Sequence, residues 1–177
     1  EGWDIDIAAH VRQGGAVLGI CGGFQMLGRR IADPHGMEGG PQCVEGLGML
    51  DVETVLTREK SVRPVSGREL ESGLPVEGYE IHLGDTTGRD TRKPWLRIDG
   101  RPDGAMSRDG RVRGTYVHGI FGSDGFRAAF LSRLASGMGS SVNYQDVVET
   151  TLDELADHLS RHLDTGRILE IARSRVA

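Results

Sequence analysis

Hydrophobic positions along the chain fall into short, separated groups. Residues 16–20 (Ala16-Val17-Leu18-Gly19-Ile20) form an apolar run that reads as a buried strand, and it stops at Cys21 between glycines. Phe24, Met26, Leu27 and Ile31 then turn the chain amphipathic, so the pattern predicts strand, sharp turn and helix. Upstream, the spacing of Trp3, Ile7 and Val11 predicts a helix that ends near Gly14-Gly15. Residues 32–46 carry turn signals at Asp33-Pro34-His35-Gly36 and Glu38-Gly39-Gly40-Pro41 and are expected to be loop. Residues 44–56 alternate and predict a strand, followed by a polar stretch over 57–67. Residues 75–83 predict a strand running into a loop at Gly84-Asp85, and 95–98 a short strand. Residues 104–107 and 112–118 suit a hairpin across Asp109-Gly110. Residues 126–134 are expected to be helical. In the last helix, Thr151-Leu152-Asp153-Glu154 fits a capping box ahead of Leu155, Leu159 and Leu163. A break is expected near Thr165-Gly166.

Composition narrows the class. A chain of 177 residues, 37% hydrophobic with 27 glycines, suits one compact, turn-rich α/β domain over 1–177. A net charge of -5 without a basic, aromatic-interleaved stripe argues against a nucleic-acid partner. No apolar run approaches the roughly 18 residues of a membrane span, and no signal peptide opens the chain, so no membrane partner is expected and the cytoplasm is the default. Cys21 and Cys43 do not form the pattern of a secreted disulfide framework. A doubly wound domain normally opens on a strand, so a chain that opens on a helix is expected to be N-terminally truncated, lacking its first strand.

The candidate chemistry centres on Cys21. Gly19-Ile20-Cys21-Gly22-Gly23 fits the nucleophile-elbow pattern G-x-[nucleophile]-x-G with cysteine as nucleophile. A Cβ at the flanking glycines is expected to collide with the closely packed strand and helix. A cysteine at a helix N-terminus gains from free N–H groups and the helix dipole, which favour thiolate, and the Gly22 N–H is placed to hold a developing oxyanion. Taken alone, a cysteine after an apolar strand is ordinarily a small buried hydrophobe, but such a residue needs no glycines on both sides.

A thiol nucleophile calls for a base, and there are six histidines. His158 and His162 sit i,i+4 on the terminal helix, without the glutamate of a zincin, and read as solvated surface. His35 lies in a loop, and His10 near a helix C-terminus, where its charge suits the dipole. His118, at the C-terminal end of an apolar strand and followed by Gly119, is preferred over His82 in its glycine-flanked loop. No metal site is expected.

Four segments carry a resemblance: Gly19-Ile20-Cys21-Gly22-Gly23-Phe24-Gln25-Met26-Leu27-Gly28, Glu45-Gly46-Leu47-Gly48-Met49-Leu50, Gly78-Tyr79-Glu80-Ile81-His82-Leu83-Gly84 and Gly114-Thr115-Tyr116-Val117-His118-Gly119-Ile120-Phe121. In this order they resemble the glutamine amidotransferase domain of the cobyric acid synthase family, among the class I (triad-type) glutaminases. The resemblance implies an α/β, flavodoxin-like fold with a mixed, mostly parallel sheet and helices on both faces. It implies Cys21 as nucleophile on the L-glutamine amide, His118 as acid and base, and Gly22 as oxyanion donor. Gln25, Tyr79, Glu80 and His82 would line the glutamine pocket.

The family passes ammonia to a synthetase domain that uses ATP and Mg2+ to amidate carboxylates of a corrinoid acceptor, cobyrinic acid a,c-diamide, in cobalamin biosynthesis. That domain has no counterpart in this sequence, which contains no G-x-x-x-x-G-K-[ST] and itself implies no cofactor. The family's upstream glycine loop, source of a second oxyanion donor, also has no match, so the isolated chain is expected to be poorly active. The glutamate that usually follows the histidine by two residues is Ile120 here, which fits the cobyric-acid branch and implies a dyad. Two related glutaminases share the elbow, those of cobyrinic acid a,c-diamide synthase and of the peptidoglycan-amidating enzyme. From another class, a flavodoxin-like binding module with an inert Cys21 is the alternative.

Overall fold

The computed structural model describes residues 2–135 and 142–174. Contacts within the chain form two compact units, Glu1–Ser140 and Ser141–Ala177.

The first unit opens on α1 (Trp3–Arg12). β1 (Val17–Ile20) follows, then Cys21 and the six-residue α2 (Gly22–Leu27). β1 pairs in parallel with β9 (Val112–Thr115), which pairs antiparallel with β8 (Ala105–Met106), making a three-stranded sheet. Alternation along these strands sends side chains to opposite faces. Val17, Ala105 and Val112 pack with Phe24 and Leu27 of α2, with Val11 of α1 against the same cluster. Leu18, Ile20 and Met106 face the other way, towards Trp95, Val117 and Phe126. α3 (Asp124–Leu134) contributes Phe126 and Phe130 there. Helices therefore cover both faces of this sheet.

The second sheet is built on a long ribbon. β4 (Val52–Glu69) and β5 (Pro75–Gly88) pair antiparallel from Val52–Gly88 to Arg68–Pro75, with a register shift between Val55 and Lys60. β2 (Arg30–Asp33) joins β4 in parallel and β3 (Gln42–Glu45) antiparallel. β6 (Leu96–Ile98) pairs with β4 and β7 (Arg101–Asp103), and β10 (Val117–His118) closes the far edge on β5.

The mixed α/β class holds, but the sheets are less parallel than expected. Parallel pairing is confined to β1–β9 and β2–β4 among the described residues. Strands joined by short turns, such as β4 and β5, can pair only antiparallel, because a parallel pair needs a long crossover. Two other local expectations are corrected. Residues 32–46 hold β2 and β3 rather than continuous loop, and the polar stretch 57–67 lies within β4. β3 is exposed along its length, and over residues 62–67 of β4 Val65 alone is buried, so neither stretch shows the sustained buried alternation that marks a strand in sequence.

At the base of the first unit, Glu69 is fully buried and accepts hydrogen bonds from the Trp95 indole (3.1 Å) and from both the hydroxyl and N–H of Ser72. Burial works against its charge, but the Ser72 donors and Arg133 outweigh it and hold the carboxyl below its ordinary range. The second unit consists of α4 (Tyr144–His162) and α5 (Thr165–Ser174). The capping box lies inside α4: the helix starts seven residues earlier, with Asn143 accepting from the Asp146 N–H. Thr151 instead donates to the Val147 carbonyl, one turn back within the helix.

Candidate active site

Cys21 occupies the turn between β1 and α2 with φ 55° and ψ -117°, a left-handed conformation that a side chain rarely adopts. The Cys21 N–H donates to the Thr115 carbonyl at 2.9 Å, continuing the β1–β9 ladder one residue past the strand. Its carbonyl accepts from the Gln25 N–H at 3.2 Å and so starts the helix. One flanking glycine is sterically required. A Cβ on Gly19 would stand 2.6 Å from the Gly23 carbonyl oxygen and from Leu27 Cδ1. The expected collision does not extend to Gly22 or Gly23, where a Cβ meets nothing within 4 Å.

The Cys21 thiol donates to the Ile81 carbonyl on β5 at 3.3 Å. It opens on a cavity of about 260 Å³ whose polar wall is Cys21, Gly22, Gln25, Glu38 and His82. Leu56 and the residues flanking His82 complete it. The cavity sits where β4 and β5 lose register, since Leu56 follows directly on the shift at Val55. Such bulges re-aim side chains next to functional sites. Gly84, opposite, takes φ 97°, and a Cβ there would meet the Val55 carbonyl oxygen at 2.6 Å, so the bulge needs glycine.

Tyr116 holds this wall together. Its ring is buried and stacks on His82 at 3.9 Å between centroids, with Phe24 edge-on at 5.2 Å. Its hydroxyl meets Thr86 Oγ1 at 2.5 Å and accepts from Gln25 Nε2 at 3.3 Å. Gln25 Nε2 also donates to the Leu83 carbonyl at 3.1 Å. Burial pushes the Tyr116 hydroxyl above its ordinary range, so it stays protonated at neutral pH. His82 Nδ1 lies 3.2 Å from the Gly84 carbonyl, which can only accept, so Nδ1 is the donor of this hydrogen bond.

His118 stands on β10, directly opposite Tyr79 in the β5 register. Its ring stacks on Tyr79 at 5.2 Å with 6° between planes, and its Nε2 is buried without a hydrogen-bond partner. Cys21 and His118 thus converge on neighbouring positions of β5, through Ile81 and Tyr79. His118 is not part of the cavity wall, whereas His82 is. Of the glutamine-pocket candidates, Gln25 and His82 line the cavity. Tyr79 packs instead on His118, and Glu80 is buried in an ion pair with Arg63 at 2.9 Å. Behind the elbow, Asp103 accepts from Thr115 Oγ1 at 2.6 Å, and burial of its carboxyl, reinforced by the charge of Glu80, pushes it above the usual carboxylate range.

Sequence patterns missed Tyr116, Glu38 and Asp33. Tyr116 stood two residues before His118 in a quoted motif, and Asp33 and Glu38 stood in turn signals that carried no hint of a site. Cys21 and Cys43 are both free thiols. Among the described residues no group of three or more His, Cys, Asp or Glu side chains is placed to hold a metal, and no helix is long and apolar enough to cross a membrane. His158 and His162 stack on each other on exposed turns of α4.

The model of the CobB/CobQ-like glutamine amidotransferase domain matches residues 1–126. The chain belongs to that family. It is 57% identical over 173 residues to a cobyric acid synthase of Cereibacter sphaeroides, covering 98% of this chain and 36% of the relative. A cobyric acid synthase of Methylorubrum populi is 56% identical over 174 residues, with the same shares covered. The chain therefore spans about a third of the length of the curated relatives it matches. A solved structure, PurLQS from Thermotoga maritima, superposes with a TM-score of 0.49 at 18% identity, covering 88% of this chain and 69% of that one. The resemblance in the four motifs to the cobyric acid synthase amidotransferases is borne out.

Proposed function

We propose that this chain is the glutaminase part of a glutamine-dependent amide ligase that makes cobyric acid. The observation that carries the reading is the strained Cys21 elbow, whose thiol opens on a cavity in a member of this amidotransferase family. Strain of this kind persists where the surroundings over-determine it, as at a nucleophile.

In the proposed reaction, a neutral imidazole takes the proton of the Cys21 thiol as Sγ attacks the side-chain amide carbon of L-glutamine. The carbonyl π electrons move onto oxygen, facing the Gly22 N–H, which as the first helical residue has no intrahelical acceptor. An imidazolium gives its proton to the departing nitrogen, the C–N bond breaks, and ammonia leaves a γ-glutamyl thioester. The neutral imidazole then takes a proton from water, whose oxygen attacks the thioester and releases glutamate and the thiol. His118 is the proposed acid and base, supported by its unpartnered Nε2 and its place beside the Cys21–Ile81 contact. Gln25 and His82 hold the substrate within the cavity. Ammonia passes to a synthetase domain that uses ATP and Mg2+ to activate the carboxylates of cobyrinic acid a,c-diamide; the relatives' names support this acceptor over that of the a,c-diamide synthase or the peptidoglycan-amidating enzyme.

A second assignment rests on one observation: His82, not His118, shares the cavity with Cys21. Ammonia release from glutamine by the chain and by Cys21→Ala, His118→Ala and His82→Ala, each with and without added synthetase domain, separates the readings. We expect turnover that requires Cys21, rises with the partner, and falls on the order of 10²–10⁴-fold in His118→Ala. A loss of that size in His82→Ala alone moves the base to His82. Absence of any Cys21-dependent turnover with the partner present overturns the glutaminase reading and leaves a binding module with an inert thiol.

A further inference from the structure

The cavity at Cys21 has one wall that no motif accounts for. Glu38, in the connection between β2 and β3, supplies the only carboxylate among its lining residues. A connection of this kind would ordinarily be loose, but this one is tied down from below. Asp33, the last residue of β2, is buried, and its carboxylate accepts the Met37 N–H at 2.8 Å and the Glu38 N–H at 2.9 Å. Those two backbone donors hold Asp33 below the usual carboxylate range, so the brace is charged at neutral pH. The backbone of Glu38 is therefore fixed beside the cavity while its own carboxylate is left for a ligand.

A thioester-forming site must hold the reacting amide at the thiol and also recognise the other end of the amino acid. That end carries an ammonium group, and Glu38 is the one carboxylate in the cavity wall that can receive it. Building on the glutaminase reading, we propose that Glu38 receives the α-ammonium of the substrate and makes the site select a free α-amino acid amide over the same amide without the amino group. Asp33 acts as a positioning residue, through the backbone of Glu38.

The test compares L-glutamine with glutaramate, which keeps the side-chain amide and the carboxylate and lacks the ammonium. Both are assayed with the synthetase domain present, for the unsubstituted chain, Glu38→Gln and Cys21→Ala. We expect KM for glutamine to rise about 10–100-fold in Glu38→Gln with kcat changed less than about threefold, the size of a charge-assisted hydrogen bond lost from a binding site. kcat/KM for glutaramate should change less than about threefold, so that the preference for glutamine collapses. Equal losses on both substrates, or an unchanged KM for glutamine, overturn the role of Glu38 while Cys21-dependent turnover leaves the glutaminase reading intact. If the unsubstituted chain and Cys21→Ala release ammonia equally, the glutaminase reading itself fails and this one with it. Asp33→Ala provides the second variant: it should raise KM for glutamine in the same direction, and glutamine affinity equal to that of the unsubstituted chain refutes the brace.

Discussion

The conformation of Cys21 can be measured as a free energy by comparing two substitutions that both remove the thiol. At an ordinary position alanine is more stable than glycine by about 0.4–1 kcal/mol, because glycine loses more backbone freedom on folding. At φ 55° and ψ -117° any Cβ is strained, by about 1–3 kcal/mol for such sparsely populated conformations. The difference leaves Cys21→Gly more stable than Cys21→Ala by roughly 0.5–2 kcal/mol, a reversal of the usual order. Neither variant keeps the thiol contact with the Ile81 carbonyl, so that interaction cancels. Urea unfolding followed by near-UV circular dichroism, which reports on fully buried Trp95, gives both midpoints. A chain of this length converts each kcal/mol into about 2–4 °C of Tm, so thermal melts should agree in sign. Equal stabilities, or an alanine variant more stable than the glycine one, would refute the idea that the elbow stores backbone strain.

Two further outcomes follow from the same geometry. Gly19→Ala should lower stability by about 1–3 kcal/mol or more, because its Cβ meets a backbone carbonyl that cannot swing aside, whereas Gly22→Ala should be neutral or slightly stabilising; thermal melts of both check the contrast. For Asp103, whose carboxyl is raised by burial, the folded chain holds its proton to higher pH than the unfolded chain does, so ionisation opposes folding. Stability should therefore fall as pH rises from the ordinary aspartate pKa of about 3.9 through the raised folded value. Asp103→Asn, still able to accept from Thr115, should not share that loss, and unfolding midpoints at pH 4 and 7 should show its relative stability increasing with pH.

Much of the site was legible because its chemistry is local. The elbow, the opening helix, the Asp109-Gly110 hairpin and the family motifs each lie within a few consecutive residues, where glycine placement and apolar spacing act directly on the backbone. The exposed strands were less legible. β3 and residues 62–67 of β4 are held by ladder hydrogen bonds and bury Val65 alone, so their sequences look like loop. The start of α4 was misplaced because Thr151 has the residue type of a cap but sits about two turns inside a helix that Asn143 begins.

By itself, then, the sequence determined where the elbow with its candidate nucleophile Cys21 stands and which family its motifs belong to, since both depend on short-range sterics and residue identity. Only the tertiary structure decided what surrounds the thiol. The β4–β5 register shift opens a cavity beside Leu56, Tyr116 links His82 and Gln25 across 91 residues of chain, and Asp33 fixes the backbone of Glu38 beside Cys21. The register shift and the Tyr116 contacts join residues far apart along the chain, and no local propensity encodes them. They exist because strand pairing brings their backbones together and burial then forces each polar group to find a partner.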